Sequence, residues 1–343
     1  MSLIVISSER FAEHMTPPGH PESPERAEVM DVVAAEWRAR GGEVVAPREV
    51  SREQLARVHS PEHLRRMAET RGVAVALDPD TYTSPETCEV ALLSAGAAVD
   101  AVERVMGGPH TRALVLSRPP GHHAERDRAM GFCFYNNVAI GAAHARSLGA
   151  RRVAIVDYDV HHGNGTQHIF ESDPNILYVS AHQFPYYPGT GAPTEIGFEG
   201  GAGRTVNIGL EVGATDDDYR LVFEQVVLPV VRQFAPDILL VSAGFDAHER
   251  DPLGGMRVTT AGFAAMTATL RQVADECCNG RLVAVVEGGY DLRALRECLH
   301  AVVDVLSGDA ASPVVWPESP VASSRGLAAA TLTKSALAQH WKF

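Results

Sequence analysis

The chain has 343 residues, of which 45% are hydrophobic and 21% are charged, and its formal net charge is −13. This apolar share supports a sizeable core and excludes a chain dominated by disorder. The acidic surplus repels phosphate backbones, so we expect no direct nucleic-acid partner and an attraction for cationic ligands. We find no apolar run long enough to span a membrane, no signal-peptide pattern and no CxxC pair among five cysteines, which predicts a cytoplasmic protein with reduced thiols.

Short apolar runs alternate with amphipathic segments, which favours an α/β fold around a mostly parallel sheet. The predicted strands are Leu3–Ser7, Glu43–Ala46, Arg112–Ser117, Arg152–Asp157, Ile176–Ala181, Arg204–Leu210, Asp237–Ser242 and Arg281–Glu287. The predicted helices are Pro24–Arg40, Thr87–Met106, Asn136–Leu148, Asp216–Phe234, Thr260–Cys278 and Leu292–Leu306. Neither a repeat nor a flexible linker divides the chain, so we expect one domain over residues 1–343, with a surface-wrapping tail and a short helix in residues 308–343.

Four predicted strands are followed directly by clusters of polar residues. The clusters are Arg118-Pro-Pro-Gly-His-His, Asp157-Tyr-Asp-Val-His-His-Gly, Ser242-Ala-Gly-Phe-Asp and Glu287-Gly-Gly-Tyr. In open α/β sheets, ligands bind beyond the carboxyl ends of the strands. We therefore expect the four clusters to converge on one pocket.

Two of these clusters predict a metal site. Asp159 and His161 lie two residues apart after a predicted strand, and extended backbone places such residues on the same side. Asp246, at the end of another strand, can supply a third ligand. Two carboxylates, one imidazole and an open fourth position suit one catalytic zinc ion, although iron or cobalt would accept the same ligands.

The remaining polar residues suggest hydrolysis. His122 and His123, in a turn fixed by prolines, can supply a general base and a general acid. Asp157 is expected to accept a hydrogen bond from one imidazole and so fix its tautomer. Tyr290 can donate to a developing oxyanion, whereas His162 is expected to make only a structural hydrogen bond.

These motifs, together with Gly131-Phe-Cys-Phe-Tyr-Asn-Asn and Gly19-His-Pro-Glu-Ser-Pro-Glu-Arg, resemble the zinc-dependent histone deacetylase family. That family includes bacterial histone-deacetylase-like amidohydrolases and acetylpolyamine amidohydrolases. The matches follow the family's order from about residue 19 to residue 306. Asn164, where class I members carry Asp, and the Glu-Gly-Gly-Tyr form are more similar to class II and bacterial members.

The resemblance implies an arginase/deacetylase fold with an eight-stranded parallel sheet flanked by helices. It implies removal of acetyl groups from acetyl-lysine side chains or similar acetylated amines. By motif, the zinc ligands are Asp159, His161 and Asp246, and Tyr290 polarises the amide carbonyl. His122 would pair with Asp157 and His123 with Asn164. Family schemes differ on which imidazole is the base, and we favour His123 as the proton shuttle.

The resemblance also implies residues around the substrate and a second ion. Phe132 and Tyr187, with Gly131, would wall an acyl-lysine tunnel, Leu253 would line its mouth, and Asp80 would bind the substrate backbone at the rim. Potassium would bind near the zinc. Its expected ligands are the side chains of Asp157 and Ser180 and backbone oxygens of Asp159, His161 and Ala181.

Leu253 bears on the substrate class. The polyamine-selective eukaryotic relative carries Glu at this position, which accepts a substrate ammonium, whereas an aliphatic side chain suits the methylene stem of an acylated lysine. We therefore expect acetyl-lysine peptides to be preferred over acetylpolyamines, which the acidic surface keeps as an alternative. A binuclear-manganese ureohydrolase would need paired carboxylate clusters that are missing, and a catalytically silent acetyl-lysine-binding module would not need every catalytic residue. Acyl-chain length and oligomeric state stay open.

Overall fold

The computed structural model describes residues 2–310, 313–317 and 323–343, and its eight strands form one sheet. The strands are β1 (Leu3–Ser7), β2 (Glu43–Val45), β3 (Arg112–Leu116), β4 (Val153–Asp157), β5 (Ile176–Gln183), β6 (Thr205–Leu210), β7 (Ile238–Ala243) and β8 (Leu282–Val286). All neighbouring strands are parallel, in the order β2-β1-β3-β8-β7-β4-β5-β6. The predicted eight-stranded parallel sheet is confirmed.

Helices cover both faces of the sheet, as parallel sheets require. They are α1 (Pro24–Ala39), α2 (Arg52–Ala56), α3 (Pro61–Glu69), α4 (Thr87–Gly107), α5 (Asn137–Ser147), α6 (Asn164–Phe170), α7 (Asp216–Val222), α8 (Leu228–Phe234), α9 (Thr260–Cys278), α10 (Leu292–Ser307) and α11 (Ser324–Leu337). Side chains alternate between two buried cores, with Leu3 and Val5 of β1 in one and Ile4 and Ile6 in the other. Every β1 side chain is therefore buried, which explains the continuous apolar run.

The structure corrects several predicted elements. The predicted helix Asp216–Phe234 is interrupted by a π-helical turn at Phe223–Val227, where the amide of Leu228 bonds the carbonyl of Phe223. Pro229 follows directly, and because proline has no N–H it cannot continue the regular ladder. The short helices α2, α3 and α6 were not predicted, since five to nine residues give too little periodicity.

The C-terminal segment is only partly described. The predicted surface-wrapping tail includes residues 311–312 and 318–322, which lie outside the described residues. The ring of Trp316 packs edge-on against Phe223, at 5.8 Å between centroids. The predicted last helix is α11, and beyond it Trp341 Nε1 donates to the carbonyl of Gly203 at 2.7 Å. Within the described ranges, no helix combines the length and apolarity needed to cross a bilayer.

The sheet order brings the four polar clusters together. They follow β3, β4, β7 and β8, which are the four adjacent strands in the middle of the sheet. Because all strands are parallel, their carboxyl ends meet at the same edge. The predicted convergence is therefore a direct result of this strand order.

Candidate metal and catalytic site

A potential metal site lies where β4 and β7 end. Asp159, His161 and Asp246 each offer one ligand atom, and these three atoms lie within 4.8 Å of one another. His161 Nδ1 is 3.2 Å from Asp159 Oδ1 and 3.1 Å from Asp246 Oδ2. The structure therefore brings together the three predicted ligands.

The surroundings of this triad fit a bound cation. Both carboxylates are fully buried, and burial together with the charge of Asp159 raises the pKa of Asp246 to about 7. Two buried carboxylates so close together need a proton or a cation between them. Glycines make room for them, because a Cβ at Gly244 would clash with Asp159 and one at Gly288 with Asp246. A zinc ion or a similar borderline cation suits this ligand set.

Backbone amides orient the two carboxylates. Asp246 Oδ1 accepts from the amide of Val160 at 2.8 Å, and Asp159 Oδ1 accepts from that of His161 at 2.9 Å. Asp159 Oδ2 accepts from the amide of Gly288 at 2.9 Å. The segments that follow β4, β7 and β8 are thus hydrogen-bonded to one another through the triad. These bonds fix the orientation of the two carboxylates before a ligand binds.

Two imidazoles lie beside the triad, in the turn that follows β3. His122 Nδ1 is 3.0 Å from Asp157 Oδ2, and His123 Nδ1 is 2.7 Å from Asn164 Oδ1. The two rings are 4.1 Å apart between centroids. Both predicted pairings are present in the structure.

The pKa values of the two imidazoles are shifted in opposite directions. Burial alone would lower the pKa of His122, but Asp159 and Asp157 outweigh it and raise that pKa to about 10. Burial and the neighbouring charge of His122 hold the pKa of His123 well below its ordinary value. The opposite shifts favour the charged form of His122 and the neutral form of His123.

Glu287 supports the histidine turn, a contact that the sequence did not predict. Its buried Oε2 accepts from the backbone amides of Gly121 at 2.7 Å and His122 at 3.2 Å. Its Oε1 accepts from Ser242 Oγ at 3.0 Å. Glu287 therefore holds the turn after β3 against β7 and β8.

Tyr290 lies at the far side of the site, after Gly289, whose φ of +125° requires glycine. Its backbone amide donates to Asp251 Oδ2 at 2.6 Å, and its ring meets that of Phe132 edge-on at 5.9 Å. Burial raises the pKa of the Tyr290 phenol well above its ordinary value. The hydroxyl therefore stays protonated and can donate a hydrogen bond. The role of Asp251 was not predicted, because it lies in a loop with no motif.

A cavity of about 120 Å³ leads to these residues. It is lined by Asp80, His123, Gly131, Phe132, His161, Tyr186, Tyr187, Leu253 and Tyr290. All five residues predicted around the substrate are in this set. Tyr186 was not predicted, and its ring stacks on His161 at 5.5 Å between centroids. The adjacent aromatic Tyr187 was the only signal in the sequence that could have indicated it.

Phe132 adopts a φ of +67°, which is rare for a residue other than glycine. Its amide donates to Thr81 Oγ1 at 3.0 Å, so the segment that carries Asp80 holds this cavity wall in place. A wall fixed in this way gives the cavity a defined width.

The remaining predicted residues lie deeper. Asp157 and Ser180 are register partners on β4 and β5, and Ala181 follows Ser180 on the same strand. Asp157 Oδ2 also accepts from Tyr178 Oη at 3.1 Å. His162 lies 2.8 Å from Thr190 Oγ1 and 2.9 Å from Gln167 Oε1, which are structural contacts.

Comparisons with known proteins give matches over most of the chain. The histone deacetylase domain family matches residues 20–306. Histone deacetylase 15 of Arabidopsis thaliana is 40% identical over 297 residues, which cover 84% of this chain and 53% of that protein. Human polyamine deacetylase HDAC10 is 40% identical over 337 residues, which cover 93% of this chain and 49% of that protein. The chain thus spans about half the length of these two relatives.

A solved structure matches nearly the whole chain. The crystal structure of the HDA15 HD domain has a TM-score of 0.89 and 37% sequence identity, and the match covers 99% of this chain and 95% of that one. This similarity confirms the predicted arginase/deacetylase fold.

Proposed function

The chain belongs to the histone deacetylase family, and we propose that it is a metal-dependent deacetylase that hydrolyses the acetyl amide of acetyl-lysine side chains or similar acetylated amines. One observation carries this proposal. In the aromatic cavity, the imidazole of His123 and the phenol of Tyr290 line the same space as the potential metal ligand His161. A base, an oxyanion donor and a cation site together are what amide hydrolysis needs.

We propose one zinc ion per chain, held by Asp159, His161 and Asp246. When bound, zinc supplies Lewis acidity to the carbonyl oxygen and lowers the pKa of a water molecule. Potassium is proposed nearby, with Asp157, Ser180 and the backbone oxygens of Asp159, His161 and Ala181 as ligands. The fully buried carboxylate of Asp157, paired with Ser180 across two strands, supports this second ion.

Different residues of the chain bind the substrate and stabilise the transition state. Phe132 and Tyr187 enclose the aliphatic stem of the substrate, while Asp80 at the rim accepts from its backbone. Tyr290 donates its hydroxyl proton in a hydrogen bond to the carbonyl oxygen as negative charge develops there. This interaction is stronger in the transition state than in the ground state, so it accelerates the reaction.

His123 is proposed as the proton shuttle. It lines the cavity and pairs with a neutral amide, whereas His122 pairs with a carboxylate behind it. Nε2 of His123 takes a proton from the attacking water and then returns it to the leaving amine.

The lining of the cavity supports an acyl-lysine substrate. Leu253 is half-buried in the lining of the cavity, and its side chain offers no partner for a second ammonium group. Burying an unpaired cation against it would be costly. We therefore place acetyl-lysine peptides ahead of acetylpolyamines, and the cytoplasmic location stays a prediction.

The experiment is a turnover panel with the zinc-loaded protein. Its substrates are acetyl-lysine peptides, acetylspermidine and short acylated amines, and the measurement is acetate release with the kcat/KM of each substrate. We expect turnover of acetyl-lysine peptides that stops when the metal is chelated and returns when zinc is added. Full zinc occupancy without release of acetate from any acetylated amine would contradict the proposal and favour a silent binding module.

A further inference from the structure

The amide of Asn164 lies between His123 and a second buried side chain, Glu125. Asn164 Nδ2 donates to Glu125 Oε1 at 2.6 Å, while its Oδ1 is 2.7 Å from His123 Nδ1. Asn164 is 2% exposed and Glu125 8% exposed, so both side chains are largely shielded from solvent. Three side chains therefore form one hydrogen-bonded row that ends at the proposed shuttle.

An ionised carboxylate can only accept hydrogen bonds. The NH₂ group of Asn164 must therefore face Glu125, and its carbonyl oxygen must face His123. That oxygen in turn can only accept, so Nδ1 of His123 carries the proton and Nε2 is left unprotonated. This is the tautomer that a proton acceptor facing the cavity requires.

Glu125 is itself held firmly. Its carboxylate oxygens lie 2.8 Å and 3.1 Å from His168 Nδ1. Its backbone amide donates to the carbonyl of Arg128 at 2.8 Å, and its own carbonyl lies 3.0 Å from His59 Nδ1. The side chain of His168 is 38% exposed, so the row runs from the surface to the proposed active site.

We propose that Glu125 is a positioning residue that sets the tautomer of His123 by fixing the direction of the Asn164 amide. This inference rests on the proposed function, in which Nε2 of His123 accepts a proton. Without an acceptor at position 125, the Asn164 amide can turn over and present NH₂ to Nδ1. His123 would then carry its proton on Nε2, where it blocks the reaction.

The test compares Glu125→Leu, Glu125→Gln and the double variant Glu125→Leu/Asn164→Asp with the wild-type protein. Leucine removes the acceptor, whereas glutamine keeps one acceptor oxygen. Aspartate at position 164 has an oxygen in either orientation, so it accepts from His123 without help from Glu125. Asp127→Asn is the matched control, because it removes an exposed carboxylate two residues away.

We expect Glu125→Leu to lower kcat by about 10–10²-fold with a small change in KM, which is less than the full contribution of about 10²–10⁴-fold from a general base because part of His123 keeps the competent tautomer. The fall in kcat should be smaller for Glu125→Gln, and kcat of Asp127→Asn should resemble that of wild type. Adding Asn164→Asp to Glu125→Leu should recover most of the lost kcat. A double variant no better than Glu125→Leu would overturn the proposal, because a general packing role is not rescued by a second substitution. If Glu125→Leu does not fold, the same comparison is made between Glu125→Gln and Glu125→Gln/Asn164→Asp.

A second readout does not depend on activity. ¹⁵N chemical shifts of the metal-free protein, with the His123 signals assigned by their loss in His123→Ala, report which ring nitrogen is protonated. We expect protonation on Nδ1 in wild type and a larger share on Nε2 in Glu125→Leu. An unchanged tautomer would overturn the inference. A wild-type protein inactive on every acetylated amine would contradict only the proposed function, since the chemical shifts would still test Glu125.

Discussion

The guanidinium of Arg26 lies over the ring of Tyr290, with Cζ 5.1 Å from the ring centroid. Its Nε donates to the carbonyl of Gly289 at 2.8 Å and its Nη2 to that of Glu287 at 2.5 Å. Nη1 donates to the buried carboxylate of Glu22 at 3.0 Å. The first helix thus holds the turn that presents the proposed oxyanion donor.

Arg26→Lys tests this support. A lysine ammonium cannot reproduce three contacts made in a fixed plane, so the Tyr290 turn should loosen. We expect kcat to fall by about tenfold, a cost of about 1.4 kcal/mol in transition-state stabilisation. Steady-state kinetics on an acetyl-lysine peptide measure this, with Arg38→Lys on the exposed face of α1 as the control. Equal kcat values for the two variants would contradict the support role.

Tyr290→Phe removes the proposed oxyanion donor and leaves the ring in place. We expect kcat to fall by about 10²–10³-fold, the cost typical of one lost donor. The Kd for an acetyl-lysine peptide should change far less, because the hydroxyl acts mainly in the transition state. A kcat within about twofold of wild type would show that Tyr290 does not stabilise the oxyanion.

Asp246→Ala tests the metal site. It removes one of three proposed ligands, and we expect the purified variant to lose its stoichiometric zinc. Elemental analysis after dialysis measures the zinc content, and Asp127→Ala serves as the control for a surface carboxylate. One full zinc equivalent in Asp246→Ala would mean that the ion binds elsewhere.

The acid stability of the protein should depend on Glu22. Burial alone would raise the pKa of Glu22, but the charge of Arg118, the hydrogen bond with His14 and the charge of Arg26 outweigh it and hold the pKa well below its ordinary value of 4.5. As the pH falls below 4.5, the Glu22 carboxylate of the unfolded chain binds a proton, whereas that of the folded chain stays ionised. The stabilisation is therefore fully present above pH 4.5 and is lost as the pH falls below that value.

Glu22→Gln should remove this dependence. We expect the variant to lose about 3–5 kcal/mol of unfolding free energy at neutral pH, because two buried arginines lose their charged partner. Below pH 4.5 the unfolding free energy of the variant should fall less steeply with decreasing pH than that of wild type. The two slopes should differ by up to about 1.4 kcal/mol per pH unit. Urea unfolding at several pH values measures both effects. Parallel stability curves would show that Glu22 does not carry the linkage.

Leu253→Glu should shift the substrate preference. A carboxylate at the mouth of the cavity can pair with a secondary ammonium, so kcat/KM for acetylspermidine should rise relative to an acetyl-lysine peptide. Leu253→Met is the matched control, which changes shape but adds no charge. A wild-type preference for acetylspermidine of about tenfold, or about 1.4 kcal/mol, would overturn the proposed substrate class but not the zinc chemistry.

The residues of the potential metal site could be predicted because their signal is local. Asp159 and His161 lie two residues apart after an apolar run, and Asp246 follows another such run. The parallel arrangement of the strands then brings the ends together. The same reasoning predicts the places of His122 and Tyr290, since each follows a strand that neighbours the others.

The supporting residues could not be predicted in this way. Glu22, Arg26 and Glu125 act through contacts with distant parts of the chain, and acidic or basic residues at such positions usually face solvent. In a chain with 43 acidic residues, sequence alone does not separate a buried carboxylate from the many on the surface. Their burial follows from the tertiary fold, and only the structure gives it.

The position of β8 sets an order for assembly. Although β8 is the last strand in the described part of the chain, it lies between β3 and β7, in the middle of the sheet. Until residue 286 has left the ribosome, the earlier strands can form only two partial sheets, β2-β1-β3 and β7-β4-β5-β6. Each partial sheet has an exposed apolar edge strand, β3 or β7, whose unpaired backbone N–H and C=O groups could bond to strands of other chains. A stalled or truncated chain that ends before β8 is therefore expected to be both inactive and prone to aggregation, even though it contains all three proposed metal ligands.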